Sequence, residues 1–388
     1  MQDRPDQDAP LRHAINKIQN SRLGRKALLF SDYQEFKLFL NDLMNIIHTL
    51  SLSCHLPEFT NHGLEHLISI VNRISEWSGT AKSTSQFICE TLSTEDAAAL
   101  LIAVLIHDIG MLSQKDEDLE KPVADPKYSV NVGTPDWVRI THIPRMKNLV
   151  IRLFKDRTDY QALLLSPFMT RVFKIAKAHG SWPEDQEFKE LPPHDKGLAA
   201  VLAVSDLLDE DSSRCDTETL INHRDYTQQN LGHWIRHTLT LEKVQIHFSK
   251  VVVKLGHLPN TDSSMEPVYC ALRNQYRLVQ LYGDALGNIG VARISPEFHP
   301  GGFPKEQVDQ LSDWTAIPMI PDLESLIYIL LLSFMPEATL DATKVPSDFI
   351  KKAKALDFEL VDLTYLYSPV HPGVITSDVE NEFYNLVS

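Results

Sequence analysis

Two short stretches decide the predicted fold, FTNHGLEHLISIV at residues 59–71 and VLIHDIGML at residues 104–112. The first places His62 and His66 four residues apart, a spacing that sets two imidazoles on one face of a helix. The second stretch closes an apolar run with a His-Asp pair. Two histidines on an otherwise apolar helix face indicate either metal ligation or a structural pair hydrogen-bonded to the backbone.

The His-Asp pair is His107 and Asp108, and it follows AAALLIAVLI, which predicts a helix that is buried nearly all round. A carboxylate buried there costs roughly several kcal/mol unless it is paired or binds a metal. Asp206 lies in a similar place, at the polar end of another apolar helix, and Asp209 and the two acids after it are interpreted as a solvated helix end. These positions suggest one metal-binding core, and the alternative is a His-Asp hydrogen bond that only joins two helices.

Composition describes a globular, acidic chain, since its 388 residues are 43% hydrophobic and carry a formal net charge of -15. That charge disfavours binding to long nucleic acid, which needs a basic surface. It permits a phosphorylated small substrate, because metal ions supply local positive charge. No stretch reaches the ~18 apolar residues of a membrane span, and the polar start lacks an apolar signal region. The four scattered cysteines form no CxxC pair, so we expect a cytoplasmic protein.

The pattern of apolar residues predicts a mostly α protein with two domains. Helical spacing dominates residues 31–224, and residues 1–30 are expected to form a loose arm that ends in a short helix. Residues 79–86, GTAKSTSQ, are predicted to be a loop. Beyond this helical domain β-branched residues become frequent, so residues 225–388 are assigned to a smaller α+β C-terminal domain.

Further histidines and cations lie between the His-Asp pair and Asp206. The segment WVRITHIPRMK contains Arg139, His142 and Arg145, and His179 ends a later helix next to a glycine. The cationic segment has a solvated helix start as its alternative interpretation. A lone histidine such as His179 is more often a helix cap than a metal ligand.

Together the segments HGLEH, HDIGM and VSDLLDED resemble the HD superfamily of metal-dependent phosphohydrolases, over roughly residues 55–215. The resemblance implies a helical domain in which four side chains bind a first ion and two further histidines bind a second. The implied ligands are His66, His107, Asp108 and Asp206 for the first ion, with His142 and His179 for the second. His62 would then lie just behind the ligands or carry a proton.

Within the superfamily, the chain is most similar to a branch met in bacterial conflict and signalling proteins. The HDxGHxPFGH pattern of the deoxynucleotide triphosphohydrolases is absent from the sequence. No segment resembles the HHExxDGxGYP pattern of the cyclic-dinucleotide phosphodiesterases either. Both of those branches are therefore disfavoured.

The implied ligands suit one or two divalent transition ions, Mn, Fe, Co, Ni or Zn, with Mg as a weaker fit. A two-metal site bridged by Asp108 would activate water for attack on phosphorus. Arg139, Arg145 and Arg214 are candidates to hold phosphate oxygens, and Arg214 alternatively braces Asp206. We therefore predict a phosphohydrolase or phosphodiesterase that cleaves a phosphate ester of a nucleotide or cyclic nucleotide.

Two other functions stay open at this point. A nuclease on short single strands would need a basic groove with exposed aromatic residues, and the acidity of the chain argues against it. A non-catalytic sensor would keep a metal for stability or bind a nucleotide, and its α+β domain would contact a protein partner. The sequence leaves open whether the chain forms a homo-oligomer.

Overall fold

A computed structural model of the protein describes residues 9–30, 33–53, 63–80, 83–113, 134–181, 183, 185–209, 245–247, 250–255, 282–291 and 295–300. Two of the predicted site residues, His62 and Arg214, lie outside these ranges. Most of the predicted α+β domain, residues 225–388, lies outside them as well.

The described part of the chain is mostly helical, which confirms the predicted fold class. Its helices are α1 (Ala9–Asn20), α2 (Arg22–Ala27), α3 (Tyr33–Ser53), α4 (Leu64–Glu76), α5 (Ile88–Thr91), α6 (Thr94–Ile106), α7 (Pro135–Leu153), α8 (Thr158–Leu164), α9 (Pro167–Ala178), α10 (Gln186–Lys189), α11 (Pro193–Leu207) and α12 (Gly283–Gly287), with a 3-10 turn at Ile109–Leu112. None of these helices combines the length and the apolar character needed to cross a lipid bilayer.

Helix α6 lies at the centre of the helical body. Every residue from 96 to 106 is buried, as its nearly uninterrupted apolar sequence predicts. The helix begins where the Ser93 side chain accepts a hydrogen bond from the Asp96 amide at 3.0 Å. Helices α2, α3, α4, α9 and α11 pack around it, so the end of α6 that carries the His-Asp pair is enclosed by other helices.

The N-terminal segment differs from the predicted arm. Within the described residues 9–30, helices α1 and α2 bury Ala14, Ile18, Leu23 and Ala27 in the main core. Helix α2 packs on α6. Residues 9–30 are therefore part of the helical body, because apolar residues repeat along both helices at helical spacing.

Among the described residues, five strands form one sheet beside the helices. They are β1 (Ser78–Thr80), β2 (Ser83–Phe87), β3 (Gln245–His247), β4 (Lys250–Leu255) and β5 (Ser295–Pro300), and their order in the sheet is β2-β1-β3-β4-β5. The β1-β2 and β3-β4 pairs are antiparallel, and the β1-β3 and β4-β5 pairs are parallel. The predicted loop at 79–86 is wrong, because most of that segment belongs to the β1-β2 hairpin. The β-branched residues over 237–255 predict strands, and the described part of that range, residues 245–247 and 250–255, forms β3 and β4.

Helix α12 joins the later part of the chain to the helical body. It packs on α11, and the Tyr282 hydroxyl just before it donates a hydrogen bond to the Ser181 carbonyl at 2.8 Å. A Cβ atom added to Gly197 of α11 would lie 2.5 Å from a side-chain carbon of Ile289. The absence of a side chain at Gly197 therefore allows the two segments to approach closely.

Candidate metal centre

The six predicted metal ligands come together at one place in the helical body. They are His66 on α4, His107 and Asp108 directly after α6, His142 on α7, His179 directly after α9, and Asp206 on α11. They form two groups that share Asp108, and within each group the ligand atoms lie within 4.8 Å of one another. The fold therefore brings side chains that are distant in sequence into one cluster.

The first group contains His66, His107, Asp108 and Asp206. The Nε2 atom of His66 lies 3.2 Å from Asp206 Oδ1 and 4.0 Å from Asp108 Oδ2. The Nε2 atom of His107 lies 3.4 Å from Asp108 Oδ2 and 3.5 Å from Asp206 Oδ1. Two imidazole nitrogens thus face two carboxylate oxygens across a short gap.

The second group contains Asp108, His142 and His179. The other oxygen of Asp108, Oδ1, lies 3.3 Å from His142 Nε2 and 3.6 Å from His179 Nε2. Asp108 therefore presents one oxygen to each histidine pair. A carboxylate in this position would be able to contribute a ligand to each of two ions.

The donor atoms fit a divalent ion. Ligands bound at about 2.1 Å to an ion lie about 3.0–3.4 Å from one another in octahedral or tetrahedral geometry, close to most of the separations in the first group. His107 is fully buried, and its Nε2 atom has no hydrogen-bond partner among the described residues. A buried nitrogen without a partner is costly, and a bound ion would satisfy it.

Each histidine ligand is held through its other ring nitrogen. Three of them donate from Nδ1 to the backbone carbonyl three residues earlier, which leaves Nε2 directed into the cluster. These pairs are His107 with Val104 at 2.8 Å, His142 with Arg139 at 2.5 Å and His179 with Ala176 at 2.5 Å. The helical turn that leads to each of these three histidines thus fixes the tautomer and the orientation of the ring.

His66 is held differently, by a carboxylate that the sequence analysis assigned to solvent. Asp209 is 1% exposed, and its Oδ2 atom lies 2.7 Å from His66 Nδ1. Its Oδ1 atom accepts a hydrogen bond from the Ser69 hydroxyl and lies 3.4 Å from a terminal nitrogen of Arg73. The interpretation of Asp209 as part of a solvated helix end is therefore wrong. The signal for it was the polar pair Ser69 and Arg73, three and seven residues after His66 on the same helix face.

The carboxylates, and not the imidazoles, mark the accessible side of the cluster. The side chain of Asp206 is 25% exposed and that of Asp108 is 11% exposed. The four histidine side chains are between 0% and 6% exposed. A substrate would therefore reach the cluster on the side of Asp206.

Electrostatics in the metal-free protein favours ionised carboxylates. Burial opposes ionisation, but the charge of His107, whose Nε2 atom lies 3.4 Å from Asp108 Oδ2 and 3.5 Å from Asp206 Oδ1, keeps the pKa of both carboxyls well below the usual range. Burial acts to lower the pKa of His107, yet both aspartates together raise it well above its ordinary value. Burial lowers the pKa of His142. Ionised carboxylates and a neutral His142 are the forms that bind a cation.

Arg145 takes part in packing at the edge of the site. It is fully buried, and its guanidinium donates a hydrogen bond to the Thr141 hydroxyl at 2.9 Å. It also donates to the carbonyl oxygens of Ser113 and Gly110, both at 2.7 Å. The guanidinium lies over the ring of Trp137 at 4.4 Å. We therefore interpret Arg145 as a brace for the 3-10 turn, in place of the phosphate-holding role that the sequence suggested.

The structure says less about the predicted catalytic roles of Arg139, His62 and Arg214. Arg139 lies on α7 one turn before His142 and is 8% exposed. Its backbone carbonyl accepts the hydrogen bond from His142. A role for its side chain in holding phosphate stays a prediction, as do the roles of His62 and Arg214 outside the described residues.

Comparison with known families agrees with this geometry. A family model described as HD-CE matches residues 56–256, which is just over half of the 388 residues of the chain. The chain belongs to the HD-CE family. The HD-CE match includes all six candidate ligands and ends one residue after strand β4. It confirms the HD-domain resemblance of the sequence, and no curated protein and no solved structure matched the chain.

Proposed function

We propose that this HD-CE protein is a cytoplasmic, metal-dependent phosphohydrolase that cleaves a phosphate ester of a nucleotide or cyclic nucleotide. The observation that carries the proposal is the position of Asp108, whose two oxygens face two separate histidine pairs. That arrangement supports two adjacent ion positions, which is the usual design for hydrolysis of phosphate esters. The proposed ions are divalent transition metals such as Mn, Fe, Co, Ni or Zn.

The protein side chains have distinct tasks in this proposal. His66, His107 and Asp206 hold the first ion together with Asp108, which also serves the second. A divalent ion bound there would lower the pKa of water and neutralise charge on phosphate oxygens. The imidazoles stay fixed, because each Nδ1 atom is already hydrogen-bonded. His107, whose pKa is raised in the metal-free protein, would release a proton when an ion binds.

The remaining tasks concern the substrate. The partial exposure of Asp206 places the open side of the cluster next to the first ion position. The acidic chain would repel a phosphate in the absence of ions, since its net charge is -15. Loading with metal is therefore expected to precede substrate binding. We assign phosphate contacts to Arg139 and Arg214 and proton transfer to His62, as the sequence suggested.

The test combines metal analysis with a substrate panel. Purified protein is analysed for bound metal, then assayed with Mn²⁺ or Ni²⁺ on nucleotides, cyclic nucleotides, bis-p-nitrophenyl phosphate and single-stranded oligomers. We expect up to two ions per chain and hydrolysis of a small phosphate ester, both lost in Asp108→Asn. The matched control is His13→Ala, which removes an exposed histidine of α1 and should leave turnover unchanged.

Other results of the panel would point elsewhere. Cleavage confined to the oligomers would replace the proposal with a nuclease on single strands. Tight nucleotide binding without cleavage under any metal would replace it with a non-catalytic sensor. Wild-type protein that binds neither Mn²⁺ nor Ni²⁺ would contradict the metal site itself.

A further inference from the structure

We infer that Asp209 is a positioning residue for the first ion position, because it orients His66 and ties α4 to α11. The inference rests on the proposed metal site and adds a residue to it. Asp209 does not approach the ion position itself. It contacts the ring nitrogen of His66 that points away from the cluster.

The contacts of Asp209 occupy both of its oxygens. Oδ2 lies 2.7 Å from His66 Nδ1, and Oδ1 accepts the Ser69 hydroxyl hydrogen and faces Arg73. The carboxylate is 1% exposed, so water does not compete with these partners. A buried carboxylate with a cation and two further donors is held as the ionised, acceptor-only form.

That form decides the tautomer of His66. An ionised carboxylate has no proton to give, so the hydrogen between Asp209 and His66 belongs to Nδ1. The lone pair of the ring is then on Nε2, the atom that lies 3.2 Å from Asp206. A carboxylate behind a ligating imidazole also makes the ring a better donor to a metal ion.

Asp209 further sets the spacing between two helices. It is the second residue after α11, and its amide donates a hydrogen bond to the carbonyl of Asp206 at 2.9 Å. Its side chain is bound to three residues of α4, namely His66, Ser69 and Arg73. The two ligands of the first group that come from these helices, His66 and Asp206, are therefore held in register by one side chain.

The other three histidine ligands lack this arrangement. His107, His142 and His179 donate from Nδ1 to a backbone carbonyl of their own helix. A substitution at position 209 should therefore weaken the first ion position and leave the local geometry of the second pair unchanged. This selectivity separates a positioning role from a general role in stability.

The experiment measures Co²⁺ binding to the full chain, by competition with a chelator and by visible absorption of the bound ion. Asp209→Asn keeps the shape of the side chain and removes its charge. We expect about a 10- to 100-fold loss of Co²⁺ affinity and a changed absorption band for the tighter-bound ion.

The matched control is Asp195→Asn, at the other end of α11, where a buried carboxylate accepts a hydrogen bond from Arg171 at 2.8 Å. It should lower the melting temperature without changing Co²⁺ affinity or the spectrum.

Several results would overturn the inference. If Asp209→Asn protein has wild-type Co²⁺ affinity and spectrum, the positioning role is contradicted and the metal site is not. The same holds if Asp195→Asn protein loses as much Co²⁺ affinity as Asp209→Asn protein. Wild-type protein that binds no Co²⁺ would overturn the proposed metal site as well, which distinguishes the two failures. If Asp209→Asn does not fold, Ser69→Ala decides, because it removes one hydrogen bond from Asp209. A loss of Co²⁺ affinity in folded Ser69→Ala protein, smaller than the loss expected for Asp209→Asn, supports the positioning role. Wild-type Co²⁺ affinity in Ser69→Ala protein overturns it.

Discussion

Gly110 lies so close to the backbone of His142 that a Cβ atom at position 110 would be 2.1 Å from the His142 carbonyl oxygen. The 3-10 turn that follows the His-Asp pair is thereby packed directly on α7. This contact places Asp108 Oδ1 3.3 Å from His142 Nε2. A glycine two residues after Asp108 therefore sets the distance between the shared carboxylate and the second histidine pair.

Replacement of Gly110 should damage both stability and the second ion position. Gly110→Ala forces the turn and α7 apart, because the obstructing atoms are backbone atoms. We expect the free energy of unfolding to fall by about 1–3 kcal/mol, together with a loss of one bound ion per chain. Urea unfolding and metal analysis measure the two effects. Gly287→Ala is the control, since a Cβ there meets nothing within 4 Å, and equal behaviour of the two variants would contradict the prediction.

Arg145→Met tests whether this side chain braces the turn or holds substrate. The substitution removes the guanidinium hydrogen bonds to the carbonyls of Gly110 and Ser113, so we expect a stability loss of about 2–4 kcal/mol. Chemical denaturation provides the measurement, and Lys147→Met, at an exposed position of the same helix, provides the control. A variant with unchanged stability and a raised KM would instead restore the phosphate-holding role.

Because Asp108 belongs to both ligand groups, substitutions of different ligands should affect the two ion positions differently. Asp108→Asn weakens both ion positions, whereas His142→Ala weakens only the second, because its nitrogen faces Asp108 Oδ1 alone among the described ligand oxygens. With Mn²⁺ at 100 times its dissociation constant, wild-type protein should gain about 2.7 kcal/mol of stability. Asp108→Asn should gain almost none. Thermal unfolding with and without chelator checks this, and an equal gain in both proteins would argue against a shared ligand.

Asp96 is expected to contribute a pH-dependent part of the stability, at the end of α6 away from the metal cluster. Burial opposes it, but hydrogen bonds from Ser93 and Arg171 lower the pKa of Asp96 to about 2, and His194 adds a contact at 3.0 Å. Because this pKa lies below the ordinary value near 3.8, the contribution is complete above about pH 5. It is lost as the pH falls towards 2.

The comparison of wild type with Asp96→Asn isolates that contribution. The difference in free energy of unfolding should be constant between pH 7 and about pH 5 and should shrink below about pH 4. Urea unfolding over this range gives the difference directly. Glu187→Gln, at an exposed surface ion pair, should show a small difference that does not follow this profile. A difference for Asp96→Asn that grows on acidification would contradict the assignment.

The helix-end residues were predictable from sequence because their signal is local. An apolar run that ends in His107 and Asp108, or in Asp206, requires a polar partner or a cation at that end. The structure supplies partners from other helices, since Asp206 Oδ1 lies 3.5 Å from His107 Nε2 and His142 Nε2 lies 3.3 Å from Asp108 Oδ1. The local sequence pattern does not predict which histidines face each oxygen of Asp108, because that pairing depends on how α7 and α9 pack.

The features that the sequence analysis missed are long-range. Asp209 belongs to an acidic run that is typical of a solvated helix end, and its burial follows from Ser69 and Arg73 on a helix far away in the chain. Arg145 is one of several cations on α7, and nothing local distinguishes it as the fully buried one. Strand β1 has three residues, too few for an alternating pattern, and its register with His247 joins distant parts of the chain.

The sheet order has a consequence for how this chain can be divided. Strands β1 and β2 precede the His-Asp pair, whereas β3, β4 and β5 follow α11, and all five share one sheet. A fragment that ends between residues 209 and 245 would lack β3, the parallel neighbour of β1. Its β1 strand would then have an open edge that is prone to self-association. We therefore expect residues 78–300, which contain all five strands, to be inherited as one unit. Any recombination point should lie outside that range.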